Sequence, residues 1–351
     1  MAALESAGAQ LIVIEEGYGE GMGVDTAEYL AASPTVKVGS YEDCLTQDVV
    51  VQVRCPPEEG LHRLRPDAIL VAMLHYPTRP GRVAMISELG IHAVSLDSIT
   101  DDLGHRLVEN MQAVGWNGVR AAFRELRAVN RRFESPGRRP LRVTVLGAGA
   151  VAGHAVRAAT RYGDEDLHRH LAAHNVVGVE VTVVDYDVTW NETWMLSRLE
   201  ATDLLVDASA RPDPSRPVVP NEWLEALPQN AVILDLAADP YDLETFPPHV
   251  KGIEGVPAGT LDQFVFGPDD PAYERMDPRI DTTYRRVALS CYAWPGVEPR
   301  ACMDVYSSQV EPVLRLILER PIDGWDVHHG EYYERAVARG ELTRWRAVHL
   351  R

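Results

Sequence analysis

The stretch Val143-Thr-Val-Leu-Gly-Ala-Gly-Ala-Val-Ala-Gly153 constrains the fold of this 351-residue chain more than any other. The run Leu141–Leu146 is apolar and β-branched, as a buried strand requires. Gly147 and Gly149 then allow a tight turn, and the small residues from Ala150 onward suit a helix packed closely on the sheet. A strand that turns directly into a helix is the start of a βα unit, and such units build parallel sheets covered by helices. The fold class predicted is α/β.

Similar alternation flanks this turn on both sides. Before it, residues 11–15, 48–53 and 68–73 read as buried strands, each followed by a polar or Pro-rich loop and a helical pattern. Residues 107–133 carry Met111, Val114, Val119, Ala122, Phe123, Leu126 and Val129 at near-helical spacing and read as one or two helices linking two lobes. Residues 134–140, rich in Pro, Gly and Arg, form the clearest boundary. Beyond it, strands are expected at Val179–Val184, Leu204–Asp207, 231–236 and Val287–Ser290, and residues 304–318 as an amphipathic helix that packs back onto the first lobe, followed by a polar, basic tail. The expected layout is two Rossmann-like doubly wound domains with a cleft between them: a substrate domain of residues 1–125 plus 305–351, and a nucleotide-binding domain of residues 126–304.

Composition narrows the function classes. Apolar residues make up 46% of the chain and charged ones 25%, the balance of a globular protein. With 34 basic against 52 acidic residues the net charge is −18, which repels nucleic acid and anionic membrane surfaces. No apolar run approaches the roughly 18 to 20 residues of a membrane span, and the first residues lack the basic start of a signal peptide, so a cytoplasmic protein is expected. The four cysteines stand singly and suggest neither a zinc site nor a redox dithiol.

A strand ending in Gly147-x-Gly149 and opening into a helix lets backbone amides approach a pyrophosphate, and the helix N-terminus adds partial positive charge. The competing reading is a tight turn with no ligand. The next strand ends in Asp185, whose carboxylate suits the hydroxyls of an adenosine ribose and favours NAD over NADP. The predicted cofactor contacts are Gly147, Ala148, Gly149, Ala150, Val151 and Asp185, with Ala208 and Ser209 after the following strand. Asp185 lies well beyond the usual spacing of about 20 residues, and residues 162–174 are read as an insertion that accounts for the excess. The insertion carries His168, His170 and His174. Their spacing does not converge on one helical face, so a solvated polar helix is expected and no metal site.

With the glycine turn in place, the chain resembles the alanine dehydrogenase, saccharopine dehydrogenase and lysine-ketoglutarate reductase superfamily. Further resemblances are carried by residues 7–19, by Met73-Leu-His-Tyr-Pro77, by Asp101-Asp-Leu-Gly-His-Arg-Leu107 with Ala113-Val-Gly-Trp-Asn-Gly118, by Leu234-Asp-Leu-Ala-Ala-Asp239 and by Trp294-Pro-Gly-Val-Glu-Pro-Arg300. The resemblance implies an NAD-dependent oxidoreductase of an amino acid or 2-oxo acid, assembled as a homo-oligomer. It implies that His75 and Asp239 are catalytic and that Arg54, together with His75, meets the substrate.

Such chemistry passes through an iminium, so a base must handle protons at the nitrogen or activate water. An imidazole titrates near neutral pH, which suits His75 to this work; its bland counterpart is a histidine satisfied at a strand end. Asp239 suits stabilisation of a cationic iminium; its bland counterpart is a helix cap. Arg54 stands where the resembled enzymes have lysine; it suits a carboxylate grip but not proton transfer, and its counterpart reading is a solvent-facing arginine. By the same resemblance, a first strand and a carboxylate-binding arginine are expected before Met1, and Ala293 replaces an asparagine. Deamination of the alanine dehydrogenase kind competes with saccharopine- or opine-type formation of a secondary amine, and both compete with a nucleotide-binding protein that lacks turnover.

Overall fold

The computed structural model describes residues 1–351 apart from Pro212, Ala238, Leu350 and Arg351. Its strands, in chain order, are β1 (Ile12–Glu15), β2 (Val36–Gly39), β3 (Val49–Arg54), β4 (Ile69–Met73), β5 (His92–Ser95), β6 (Leu141–Leu146), β7 (Val179–Val184), β8 (Leu204–Asp207), β9 (Val232–Asp235), β10 (Val265–Phe266) and β11 (Val287–Ser290). The chain divides into two compact units: Met1–Glu109 with Pro299–Arg351, and Asn110–Glu298.

In the first unit, β1 pairs with β2 and β3-β4-β5 form a second ladder, all parallel. Central β4 is apolar throughout because both of its faces are covered. Leu70 and Ala72 point to one cluster, with Leu45, Ile86 and Trp345. Val71 points to the other, with Val313, Ile317 and Val337. The C-terminal segment supplies much of this cover. The helix Pro299–Glu319 replaces the expected 304–318, and the tail that reads as polar and basic folds into the helices Tyr332–Gly340 and Leu342–His349, burying Trp325 and Trp345. Asp102 anchors the first of these two, accepting from Arg335 and Arg339 at 2.6 and 2.5 Å. Its neighbour Asp101 shapes the same loop by accepting the Leu103 and His105 backbone N–H groups.

The second unit holds a six-stranded sheet of order β10-β11-β9-β8-β6-β7, parallel except for β10. From β6 the chain moves outward to β7, then crosses back to β8 on the opposite side of β6. The order therefore reverses at β6, and a crevice opens outside the carboxyl ends of β6, β7 and β8. β8 and β9 are buried on both faces, which explains the three apolar residues that precede the terminal aspartate of each.

Residues 107–133 form one helix, Met111–Val129, N-capped by Asn110. Its apolar stripe, with Val119, Ala122, Phe123 and Leu126, is buried in the core of the second unit. The whole helix belongs there, so the division falls at Glu109 and Pro299, where the sequence placed it at 125 and 305. A Cβ on Gly115 would come within 2.8 Å of the Ala155 backbone nitrogen, so this glycine sets how closely the helix meets the Ala150–Ala159 helix. The insertion at 162–174 forms the helix Glu165–Ala173, capped by Asp164. His170 and His174 lie ring to ring, and among the described residues no group of three His, Cys, Asp or Glu side chains suits a metal ion. None of the four cysteines forms a disulfide. Among the described residues no helix is long and apolar enough to cross a membrane.

Candidate functional site

The crevice over the second unit's sheet has a volume of about 560 Å³ and is walled by the turns that follow three strands: Gly147, Ala148 and Gly149 after β6, Asp185 and Tyr186 after β7, and 208–211 after β8. Gly147 adopts φ +91°, a left-handed conformation. A Cβ there would lie 2.7 Å from the Ala208 carbonyl oxygen and 2.8 Å from Ser209 Cα, so the two turns touch only because residue 147 lacks one. A Cβ on Gly149 would meet open space. Gly149 is also the N-cap of the ten-residue helix Ala150–Ala159, and no side chain caps it. The first backbone N–H groups therefore keep their hydrogen-bonding capacity for an acceptor in the crevice. Ala150 and Val151 open this helix without walling the crevice, and Val151 packs toward the core. Asp185 accepts the Tyr186 N–H at 2.9 Å, which fixes its carboxylate at the strand end. A shallower depression of about 550 Å³ at 278–285 is walled by one polar loop.

A buried polar group that sequence reasoning missed lies beneath this floor. The register sets Asp207 of β8 beside Asp235 of β9. Asp235 accepts from Lys251 Nζ at 2.5 Å and from Ser290 Oγ at 2.9 Å, with all three side chains buried. Asp207 accepts from Ser209 N–H and Oγ at 3.0 and 2.6 Å through Oδ1. Its Oδ2 is buried and has no hydrogen-bond partner among the described residues, and a Cβ on Gly252 would collide with it. Burial and the nearby Asp235 charge push the Asp207 carboxyl up to about 6. Its bonds to Ser209 hold the turn that abuts Gly147.

Asp239 does not cap a helix. Its Oδ2 lies 2.6 Å from Nη2 of Arg211, a second residue that the sequence reading passed over. The expected free carboxylate is thus neutralised by a cation from the turn after β8. Ala208 and Ser209 stand on the same turn as Arg211.

In the first unit, His75 follows β4 and holds φ +52°, an unusual backbone for a non-glycine residue. Asp97 stabilises it. Its Oδ2 lies 3.1 Å from His75 Nδ1, and its Oδ1 accepts the backbone N–H groups of Leu74 and His75 at 3.1 and 3.2 Å and the Ser95 hydroxyl at 2.6 Å. Burial alone would raise the Asp97 carboxyl; the bonds from His75 and Ser95 outweigh it and hold it well below the usual carboxylate range. Half of the His75 side chain is exposed while Asp97 is buried. A ring fixed through one nitrogen, with much of its surface still open, is the arrangement of an oriented acid–base group. Arg54 ends β3 in register with Met73, two residues before His75, at the same edge of the sheet. It is exposed. His75 and Arg54 thus come from one unit, and Asp239 and the glycine turn from the other.

Residues 1–113 match the family described as alanine dehydrogenase/PNT, N-terminal domain. A solved L-alanine dehydrogenase shares the fold at a TM-score of 0.69 and 18% identity, over 97% of this chain and 89% of that one. The chain is thus similar to the alanine dehydrogenases, in its first 113 residues by family and over its length by fold. N(5)-(carboxyethyl)ornithine synthase of Clostridium botulinum (strain Hall) is 23% identical over 319 residues, 88% of this chain and 89% of that protein. The alanine dehydrogenase of Halomonas elongata is 23% identical over 253 residues, 65% of this chain and 64% of that protein.

Proposed function

We propose that the chain is an NAD(H)-dependent oxidoreductase acting on the CH–NH2 or CH–NH bond of an amino acid. The observation that carries the reading is the crevice itself: a left-handed Gly147, an uncapped helix behind Gly149 and a carboxylate, Asp185, at the neighbouring strand end, all at the point where the strand order reverses. Each residue present suits one part of a dinucleotide. Backbone N–H groups of 148–151 would hold the pyrophosphate, Asp185 the adenosine ribose, and Ala208 and Ser209 the opposite wall. The nicotinamide, when bound, supplies the hydride acceptor.

The remaining work falls to protons and charge. His75 takes or gives the proton at the substrate nitrogen or at the attacking water, and Asp97 keeps its Nδ1 side occupied so that one tautomer is presented. Arg54 grips the substrate carboxylate. Asp239 balances positive charge as the iminium forms.

A second reading, formation of a secondary amine from an amino acid and a 2-oxo acid, is favoured by the longer similarity to the carboxyethylornithine synthase, which spans 88% of the chain. Titration calorimetry with NAD and NADH tests the shared premise, and absence of binding at millimolar concentration would end it. NADH oxidation with pyruvate and ammonia, against pyruvate or 2-oxoglutarate with ornithine, lysine or other amines, then separates the two readings.

A further inference from the structure

We propose that Arg211 is a ligand for the diphosphate of a bound nucleotide, held in reserve by Asp239 until that anion arrives. The inference rests on the nucleotide reading of the crevice. Arg211 lines the same crevice as the glycine turn, yet its side chain is only 7% exposed. It donates to Asp239 Oδ2 at 2.6 Å, to the Val250 carbonyl at 2.5 Å and to the Arg216 carbonyl at 3.0 Å. Its Nε is buried and has no acceptor among the described residues. A guanidinium carries five N–H groups, and a buried one left unmatched is costly. This side chain therefore has more donor capacity than the folded chain satisfies.

The glycine turn has the same surplus, since among the described residues no side chain caps the helix behind Gly149. Two sets of unmatched donors at one crevice call for an anion with several oxygens. A diphosphate has enough acceptors for both sets; a single carboxylate has only two oxygens.

Asp239 is the more exposed partner, at 26% against 7%. Water can take over at Asp239 if the pair opens, whereas Arg211 must exchange one anion for another. That exchange uncovers the Asp239 carboxylate only after the nucleotide binds.

The test is a mutant cycle on binding, read by calorimetry with ADP and with AMP, which lacks the diphosphate. Asp239→Asn frees Arg211 and is expected to tighten ADP about fivefold or more. Arg211→Gln is expected to weaken ADP about tenfold or more and AMP by less. In the Arg211→Gln background, Asp239→Asn gains nothing for ADP. If Arg211→Gln does not fold, Asp239→Asn against the parent decides. ADP affinity unchanged or weakened by Asp239→Asn, or tightened equally with and without Arg211, overturns the assignment alone. A parent protein that binds neither ADP nor NAD removes the nucleotide reading and this one with it.

Discussion

Asp97 holds both the ring and the backbone of His75, through Nδ1 at 3.1 Å and the main-chain N–H at 3.2 Å. Replacing Asp97 by Asn removes the acceptor that fixes the ring while keeping the shape. Steady-state kinetics should then show kcat/KM lower by about 100-fold, the scale of acid–base assistance, with NAD affinity unchanged. His75→Gln should cost about as much, and the double variant little more, because the pair acts as a unit. Activity of Asp97→Asn within about threefold of the parent would remove the pair from the mechanism.

Asp185 is the predicted discriminator between cofactors. Asp185→Ser should raise the KM for NAD about tenfold and bring the ratio of kcat/KM for NAD over NADP toward unity, because a carboxylate beside the ribose binds hydroxyls and repels a 2′-phosphate. An unchanged ratio would show that recognition lies elsewhere in the crevice.

The glycines separate structural from binding effects. Gly147→Ala puts a Cβ against the Ala208 carbonyl at positive φ, and Gly115→Ala presses on the Ala155 backbone, so each should cost roughly 1–3 kcal/mol. Thermal midpoints should fall by about 2–4 °C per kcal/mol. Gly149→Ala meets nothing in the protein and should leave the midpoint in place, yet weaken NAD binding, because the new methyl group occupies the ligand's side of the turn.

Asp207 should leave a signature in stability against pH. Its folded value, about 6, exceeds the ordinary 3.8, so its contribution is fully present below about 3.8 and is lost as pH rises through about 6. The loss is of the order of 2–3 kcal/mol. Asp97 works in the opposite direction, its contribution present above the ordinary value and lost as pH falls. Asp207→Asn, which resembles the protonated form, should therefore gain on the parent between pH 4 and pH 7 in urea unfolding. Parallel stability profiles for the two proteins would contradict this.

What the sequence discloses here is what adjacent residues build together. The turn at Gly147, its strand and helix, and Asp185 at the next strand end are local, and all four lie where the pattern puts them. Asp97 is 22 residues from His75, and the two meet only because β4 and β5 are parallel and pair Ala72 with Ser95, which carries both strand ends to one edge. That register was a usable signal: polar Ser95 and Asp97 close a buried strand just as His75 follows β4. Lys251 and Arg211 gave less warning. Lys251 lies in a loop that reads as ordinary surface, and only the folded sheet brings it to Asp235. The helix Met111–Val129 shows the converse, since its stripe was plain and its destination was not.

The first unit is interrupted, its chain leaving at Glu109 and returning at Pro299. During synthesis, β3, β4 and β5 emerge before the second unit, but the helices that cover Val71 and receive Asp102 emerge after it. The second unit is continuous and completes its core in the interval. The crevice of the second unit can therefore form on a nascent chain whose His75 edge still lacks part of its support, while the parallel strands of the half-built unit stay open.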